Sequence, residues 1–431
     1  MGTILLWASM SLAIALIWKR SPHVVLGFIL AAVVLIPSLV APVAQYLVVA
    51  HLIVQMLARP QATGRAIAQH SLLFAVALYV TVFGAVTSWV ADGSLFVELQ
   101  YVAGVAILPV TFFVLSRQAL ADDPRRAQYL TGVLIALVVF EVGLVWLQFI
   151  TGEVLVWESY FSQQWWWSTN LVKVQPIGTF GHWIPVSGFL AASLPFVWVA
   201  RNPLFRVIVL LSALATIILI GARTGALIAV VGIAVMILTS LNLRSPARLL
   251  GSVLLTGTLS VTAYLLITST FAATLIGKLT NDGTSTSLRG EATKWIAENW
   301  TKFFISGYEG DTDLRQSGVL GSSLENAFYM FALRYGVLLT LVLLAMFAVM
   351  ALRLLPHTGP YKWAAVATSI GVGISFITSG SFGSGDSVGL MLFWLAMALG
   401  ALPGTEGAPA DDGKGALVAQ SKKLSPSSGQ F

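Results

Sequence analysis

Of the 24 basic residues in this chain, eight stand apart as groups that could do chemistry on an anionic substrate: Lys173, Arg223, Lys278, Arg289, Lys294, Lys302, Arg315 and Arg334. Arg223 lies in GARTG (221–225) and is the only charge from 207 to 243. Gly221 and Gly225 flank it, a pattern that reads as the tip of a tight helical hairpin. An arginine at the centre of a membrane helix costs roughly 2.5–3.5 kcal/mol, and less near an interface, so one kept there reads as functional unless it merely anchors the helix end. Arg289 lies in SLRGEATKWIAENWTKFF (287–304). At about 100° per residue, Ala292, Trp295, Ile296, Trp300, Phe303 and Phe304 make one apolar stripe. Arg289 shares the direction of Ile296 and Trp300, with no acid on that face. Behind Ser287 as N-cap it falls in the first turn of a helix, where free N–H groups favour an anion. That placement suits a diphosphate clamp; the ordinary alternative is snorkelling to a lipid headgroup. Glu291, Lys294, Glu298 and Lys302 fall on the other face, paired at i,i+4, and read as a solvated surface.

Glu325 and Asn326 open another apolar run, and Arg334 follows nine residues after Glu325. That is about 13 Å along a helix and half a turn around it, so Glu325 and Arg334 cannot pair. Glu141, in the middle of a different run, is the expected partner of Arg334. His182 in GTFGHW (178–183) precedes a further run; its ordinary role is a hydrogen-bonded interface residue, and its chemical role would be as a base second to Glu325. Asp311 and Asp313 resemble a carboxylate pair for a metal–nucleotide but have no further ligands nearby in sequence. Neither a metal nor a cofactor is expected. The chain has no cysteine, which excludes thiol catalysis, disulfides and Cys-ligated metals. It has no P-loop, HExxH or GxSxG.

The elements that must position these groups are membrane spans. The chain of 431 residues is 57% hydrophobic and 10% charged, with a mean hydropathy of +0.86, whereas a soluble domain carries about 25% charged residues. Apolar runs long enough to cross a bilayer fall near 3–18, 24–39, 41–57, 71–91, 98–116, 129–150, 184–200, 206–221, 225–241, 249–271, 326–350, 363–380 and 387–403. The expected fold is therefore an all-α polytopic bundle of 12 or 13 transmembrane helices over 1–404. The count depends on whether 24–57, broken at Pro37 and Pro42, holds one span or two. No pair of matching Gly- or Pro-broken helices, the usual mark of a transporter site, is legible. The other 16 basic residues lie in loops on one side, which reads as cytoplasmic. The eight above then fall on the outer side, with the two long loops 151–183 and 272–325. The first run lacks a basic n-region and a cleavage site and is expected to be retained. The tail 405–431, rich in Gly, Pro, Ser and Lys, is expected to be disordered and cytoplasmic.

Three segments in order carry a resemblance: GTFGHWIPVSGFLAASLPF (178–196), then GARTGALIAVVG (221–232), then a loop with Arg289, Trp295 and Tyr308 that ends in ENAFYMFALRYG (325–336). Together they resemble the O-antigen ligase and Wzy-type polymerase superfamily of bacterial envelope glycosyltransferases, over roughly residues 170–345. The resemblance implies a GT-C-like membrane fold with one large periplasmic loop and a metal-independent, inverting transfer of undecaprenyl-diphosphate-linked oligosaccharide at the periplasmic face of the inner membrane. Carried over by position, Arg223 and Arg289 bind the lipid diphosphate, and Glu325 stands where the ligases have a catalytic His. Arg334, Asn326, Tyr308, His182 and Trp295 are expected to contact substrate, the rings as flat faces for sugars. Because the ligase-type His is absent, polymerisation of repeat units is the leading expectation. Ligation to lipid A core or protein comes second, and transport of a lipid-linked oligosaccharide or a non-catalytic assembly role comes behind. Expected partners are the lipid-linked oligosaccharide, membrane lipid, a chain-length regulator and a flippase, and no nucleic acid.

Overall fold

The structure, a computed structural model, describes residues 2–37, 42–91, 95–163, 175–240, 283–308, 326–378 and 388–403. Among these residues every regular element is a helix. The first group is α1 (Gly2–Ile17), α2 (Pro22–Leu35), α3 (Val43–Ala58), α4 (Pro60–Gln69), α5 (Ser71–Ala91), α6 (Leu95–Val105), α7 (Ile107–Asp122) and α8 (Arg126–Thr151). The one-turn α9 (Glu158–Phe161) follows, then α10 (Trp183–Trp198), α11 (Pro203–Ile220), α12 (Arg223–Ser240) and α13 (Gly283–Asn299) with a 3-10 turn at Trp300–Phe303. The last four are α14 (Ala327–Tyr335), α15 (Val337–Leu352), α16 (Lys362–Thr378) and α17 (Val388–Gly400). Four helical stretches are long and apolar enough to cross a membrane: Ser71–Trp89, Leu95–Asp122, Arg126–Thr151 and Pro203–Ile220. Eight more apolar helices are shorter. Twelve of the thirteen expected spans thus have a helical counterpart, the thirteenth (249–271) lying outside the described residues. The assembly is compatible with a helical membrane protein.

Local sequence explains where the helices begin and end. Asn202 caps α11 by accepting the N–H groups of Leu204 and Phe205, with Pro203 in the first turn, where its missing N–H costs nothing. Gly152 and Gly221 end α8 and α11 in the left-handed conformation that an L side chain resists. Twelve of the thirteen residues of α17 are buried, the signature of a helix apolar all round at the centre of a bundle. Its Trp394 is packed by Phe113 and Phe347. At the periphery Ile17, Leu57, Leu72, Phe96 and Ile150 are exposed, more apolar surface than a soluble monomer leaves uncovered.

Helices pack through small residues, as van der Waals contact in lipid requires. A Cβ placed on Gly225 would lie 2.6 Å from the Ser187 side chain, and one on Gly232 would touch the Pro195 ring. These two contacts set α10 and α12 side by side and parallel, in nearly constant register. Thr368 donates a hydrogen bond to the Ala192 carbonyl, three residues before Pro195, which lies inside α10.

The helix ends sort to two ends of the bundle. At one end Arg59 and Arg126 both reach Asp122, Gln55 bonds the Lys19 carbonyl, and Arg117 bonds the Ala398 carbonyl. These contacts join the C-terminal ends of α1, α3, α7 and α17 to the N-terminal end of α8. They gather members of the 16-residue basic set. The opposite end carries Arg223, His182 and the loop that leads into α10.

Two expectations are corrected here. The run 326–350 is not one helix: it is interrupted at Gly336, whose φ of 98° is open to glycine and strained for other residues. A second interruption, at Ala106, divides α6 from α7. In addition, α13 begins at Gly283, so Ser287 is not its N-cap and Arg289 stands six residues past the first helical position. The free N–H groups of the first turn therefore lie about 4.5–9 Å along the axis from the Arg289 backbone at 1.5 Å per residue.

Candidate functional site

The loop before α10 is held by buried polar groups from α8. Gln148 accepts the N–H groups of Ile177 and Gly178 and donates to the Gly178 carbonyl. Glu141 accepts the Thr179 N–H at 3.2 Å. The Thr179 hydroxyl sits 2.5 Å from both the Glu141 carboxyl and the Val34 carbonyl. Glu141 is thus spent on this loop and is not the partner of Arg334. Gly178 and Gly181 take positive φ, and side chains there would run into Glu141 and Phe161 respectively, so the Gly-Thr-Phe-Gly sequence is fixed by close approach as well as by turning.

His182 ends this loop as the N-cap of α10. Its Nδ1 accepts the Ile184 N–H at 3.2 Å, and its ring stacks on Trp183 with centroids 3.8 Å apart. Burial pushes the imidazole down to about 4, so the ring is neutral near pH 7. With Nδ1 accepting, the hydrogen of the neutral ring resides on Nε2. That nitrogen can donate to an oxygen but cannot take a proton, which fits substrate contact better than general base chemistry.

Arg223 is the first residue of α12, reached from α11 through only Gly221 and Ala222, and its side chain is exposed. The hairpin read from GARTG is present. Because Gly225 lies against Ser187, the start of α12 adjoins the start of α10. Two helix N-termini therefore face the same end of the bundle with an arginine between them and solvent, an arrangement that favours a negative charge. Below it runs an apolar groove between α10, α12, α16 and α17, lined by Gly188, Phe189, Ile228, Val372, Phe376 and Leu392 among others. Ile228 is five residues past Arg223, about 7.5 Å along the axis.

Arg334 has a different environment. Its Nε and Nη2 grip the Glu98 carboxylate at 3.1 and 2.5 Å. The Tyr335 hydroxyl donates to the same carboxylate at 2.9 Å, and the guanidinium lies over the Tyr101 ring at 4.8 Å. Glu98 is the partner that the sequence reading assigned to Glu141. Asn326 caps α14 by accepting the N–H groups of Phe328 and Tyr329.

Trp295, Phe303 and Tyr308 pack on one another, with Trp295 and Phe303 parallel at 6.2 Å and Tyr308 edge-on to both. Their cluster includes Ile296, Ala332 and Leu333. The apolar stripe of α13 thus rests on α14. Trp295 and Tyr308 give most of their surface to this packing. Glu291, Lys294, Glu298 and Lys302 are exposed as expected, with Lys294 and Glu298 paired at 3.9 Å.

Arg223 and His182 are therefore brought to one place, while Arg334, Asn326, Trp295 and Tyr308 form a second group beside α6. Arg289 lies on the backbone of α13, with its side chain outside the description. Glu325, Asp311, Asp313 and the tail lie outside the described residues. Sequence reasoning missed Glu98, Gln148, Thr179 and Ser187. A lone acid at the start of an apolar run is the signal that could have found Glu98. No protein-family model matches this chain, and comparison with curated proteins gives no match.

Proposed function

We propose that this chain is a Wzy-like glycosyltransferase that polymerises undecaprenyl-diphosphate-linked repeat units at the periplasmic face of a bacterial inner membrane. One observation carries the reading: an exposed arginine and two adjoining helix N-termini stand at the same end of the bundle, about one and a half turns of α12 from an apolar groove lined by Ile228. A substrate with an anionic diphosphate and a long isoprenoid tail needs both parts. Arg223 then binds the diphosphate through its planar fork, and the groove receives the first isoprene units. Arg289 is the second phosphate ligand in this reading. The acceptor hydroxyl attacks the anomeric carbon of the donor, its proton passes to Glu325 as general base, and the C–O bond to the diphosphate breaks with inversion. Undecaprenyl diphosphate leaves, its developing charge offset by the two arginines. In this reading His182 contributes a contact to a phosphate or sugar oxygen.

The test is purified protein in liposomes with a pool of lipid-linked repeat units, products read by gel and mass spectrometry. The expected result is a ladder of multimers with released undecaprenyl diphosphate, lost in Arg223→Ala and in Glu325→Gln. Wild-type polymer length in Arg223→Ala would sink the diphosphate assignment. A ladder that persists in Glu325→Gln moves the base elsewhere. Products that form only with lipid A core or protein as acceptor would make the chain a ligase.

A second reading, transport of the lipid-linked oligosaccharide, draws on the interrupted helices α6–α7 and α14–α15, joined by the Glu98–Arg334 pair. Broken helices around buried charge are where transporters bind substrate. Movement of a labelled lipid-linked saccharide across the liposome bilayer without a change in its mass would favour it.

A further inference from the structure

The segment that follows α13 is stitched to the break in the 327–352 run. The Phe304 carbonyl accepts the Leu338 N–H at 2.9 Å, and the Tyr308 N–H donates to the Leu333 carbonyl at 2.7 Å. Gly307 and Gly336 allow the two backbones this approach: a Cβ on Gly307 would strike the Arg334 carbonyl, and one on Gly336 would lie 2.7 Å from the Ile305 carbonyl. Phe303 is fully buried in the cluster below. Its neighbours are not: Trp300, Phe304 and Ile305 are 45%, 36% and 60% exposed. These three apolar side chains share a short turn with no acidic residue. The face of α15 next to them is also apolar and exposed, at Leu338 and Leu341.

We propose that the turn from Trp300 to Ile305 is inserted into the lipid bilayer and occupies the acyl-chain region of the leaflet that surrounds the first turns of α15. Two arguments carry this. First, depth is fixed by the backbone: a turn hydrogen-bonded to Leu338 lies at the level of Leu338, and the apolar surface of Trp300, Phe304 and Ile305 is continuous with the apolar surface of α15. A covering protein is not required, because the lipid that covers Leu338 and Leu341 covers the turn. Second, non-helical backbone is tolerated at membrane depth only where its polar groups are met by protein, and the stitches meet two of them, the Phe304 carbonyl and the Tyr308 N–H. Lys302, exposed in the same turn, has a stem long enough to carry its ammonium to the headgroups. The occupant is ordinary bilayer lipid, so the inference stands whatever reaction the chain performs. The apolar stripe of α13, by contrast, faces α14, so the lipid contact belongs to the turn and not to the helix.

The chain contains no cysteine, so single nitroxide labels can be placed without altering any other site. Ile305→Cys, Leu341→Cys and Lys294→Cys would be labelled in separate samples and reconstituted in vesicles of phosphatidylcholine and phosphatidylglycerol. Collision with molecular oxygen and with a water-soluble nickel chelate would be measured by power-saturation EPR. The expected result is that the label at 305 behaves like that at 341, with oxygen collisions in excess, while the label at 294 shows the nickel excess of water. A nickel excess at 305 overturns the proposal, and so does protection from both reagents, which would mean that a second copy or another part of the chain covers the turn. If Ile305→Cys fails to fold, Trp300→Cys makes the same comparison with the same two outcomes.

Discussion

The Glu98–Arg334 pair gives the sharpest energetic prediction. Glu98 accepts two hydrogen bonds from Arg334 and one from Tyr335. Replacing it by Gln removes the charge but keeps the shape. Arg334 then faces two aromatic rings with no counter-charge in reach among the contacts described. Removing one partner of a buried pair costs about 3–5 kcal/mol. Side-chain hydrogen bonds measured inside membranes average only about 0.6 kcal/mol, with a maximum near 1.7. The Arg334 side chain is 30% exposed and that of Glu98 is 7% exposed, so one end of the pair retains some solvation. An intermediate loss of about 2–3 kcal/mol is expected for Glu98→Gln. Arg334→Met alone should cost a similar amount. The double mutant should recover to within about 1 kcal/mol of wild type, since it leaves no unpaired charge. Reversible unfolding in mixed micelles, followed by tryptophan fluorescence, measures all four corners of the cycle. If both single substitutions cost under about 0.5 kcal/mol and the cycle shows no coupling, the pair contributes nothing and the reasoning fails.

Three further outcomes follow from particular contacts. Gly225→Ala should push α12 away from α10 and reduce transfer by at least about tenfold, equivalent to 1.4 kcal/mol; Ser187→Gly in the same chain should restore most of it, and a double mutant no better than Gly225→Ala would refute the contact. Gly336→Ala meets both a positive φ and the Ile305 carbonyl, so its thermal stability should fall by about 2 kcal/mol or more; a loss of under about 0.5 kcal/mol would show that the break is not held as described. The depressed His182 value means that the neutral ring stabilises the fold fully above pH 6.5 and that this contribution is lost as pH falls towards about 4; between pH 7 and 5 the wild type should lose about 2 kcal/mol relative to His182→Asn, which keeps a capping oxygen but does not titrate, and parallel pH profiles would contradict the burial of the ring.

Much of this fold is legible in the sequence because a bilayer imposes a simple rule on composition. Ten of the apolar runs match single helices within a few residues of their bounds and two more match helices interrupted at Ala106 and Gly336, and the hairpin at Arg223 could be read because two glycines and one charge interrupt an otherwise uniform stretch. What was illegible depends on partners far apart in the chain. Glu98 and Arg334 are 236 residues apart, and nothing local in VELQYV distinguishes a partnered acid from a boundary one. Gly336 looked like the ordinary glycine that membrane helices carry; the approach of the Ile305 backbone to its side is what no periodicity shows. Residues 283–286, GTST, read as loop because Gly, Ser and Thr are weak helix formers. Of the site, the arginine and the histidine could be named from sequence. The groove could not, because its walls come from four helices whose proximity no periodicity encodes.

The stitch between residues 304–308 and the interrupted run also sets an order of assembly. During synthesis the chain is delivered from its N-terminus, so α13 and its turn exist before α14 and α15 leave the ribosome. The backbone groups that the interruption exposes at Leu333 and Leu338 therefore meet partners already made. Had the stitching segment been encoded downstream, a broken helix would wait in the bilayer with unpaired amide and carbonyl groups, each costing several kcal/mol in lipid. A circular permutant opened after residue 308 would place residues 283–308 behind α15 in the order of synthesis. Its defect should appear in the yield of inserted protein and not in the stability of the molecules that succeed.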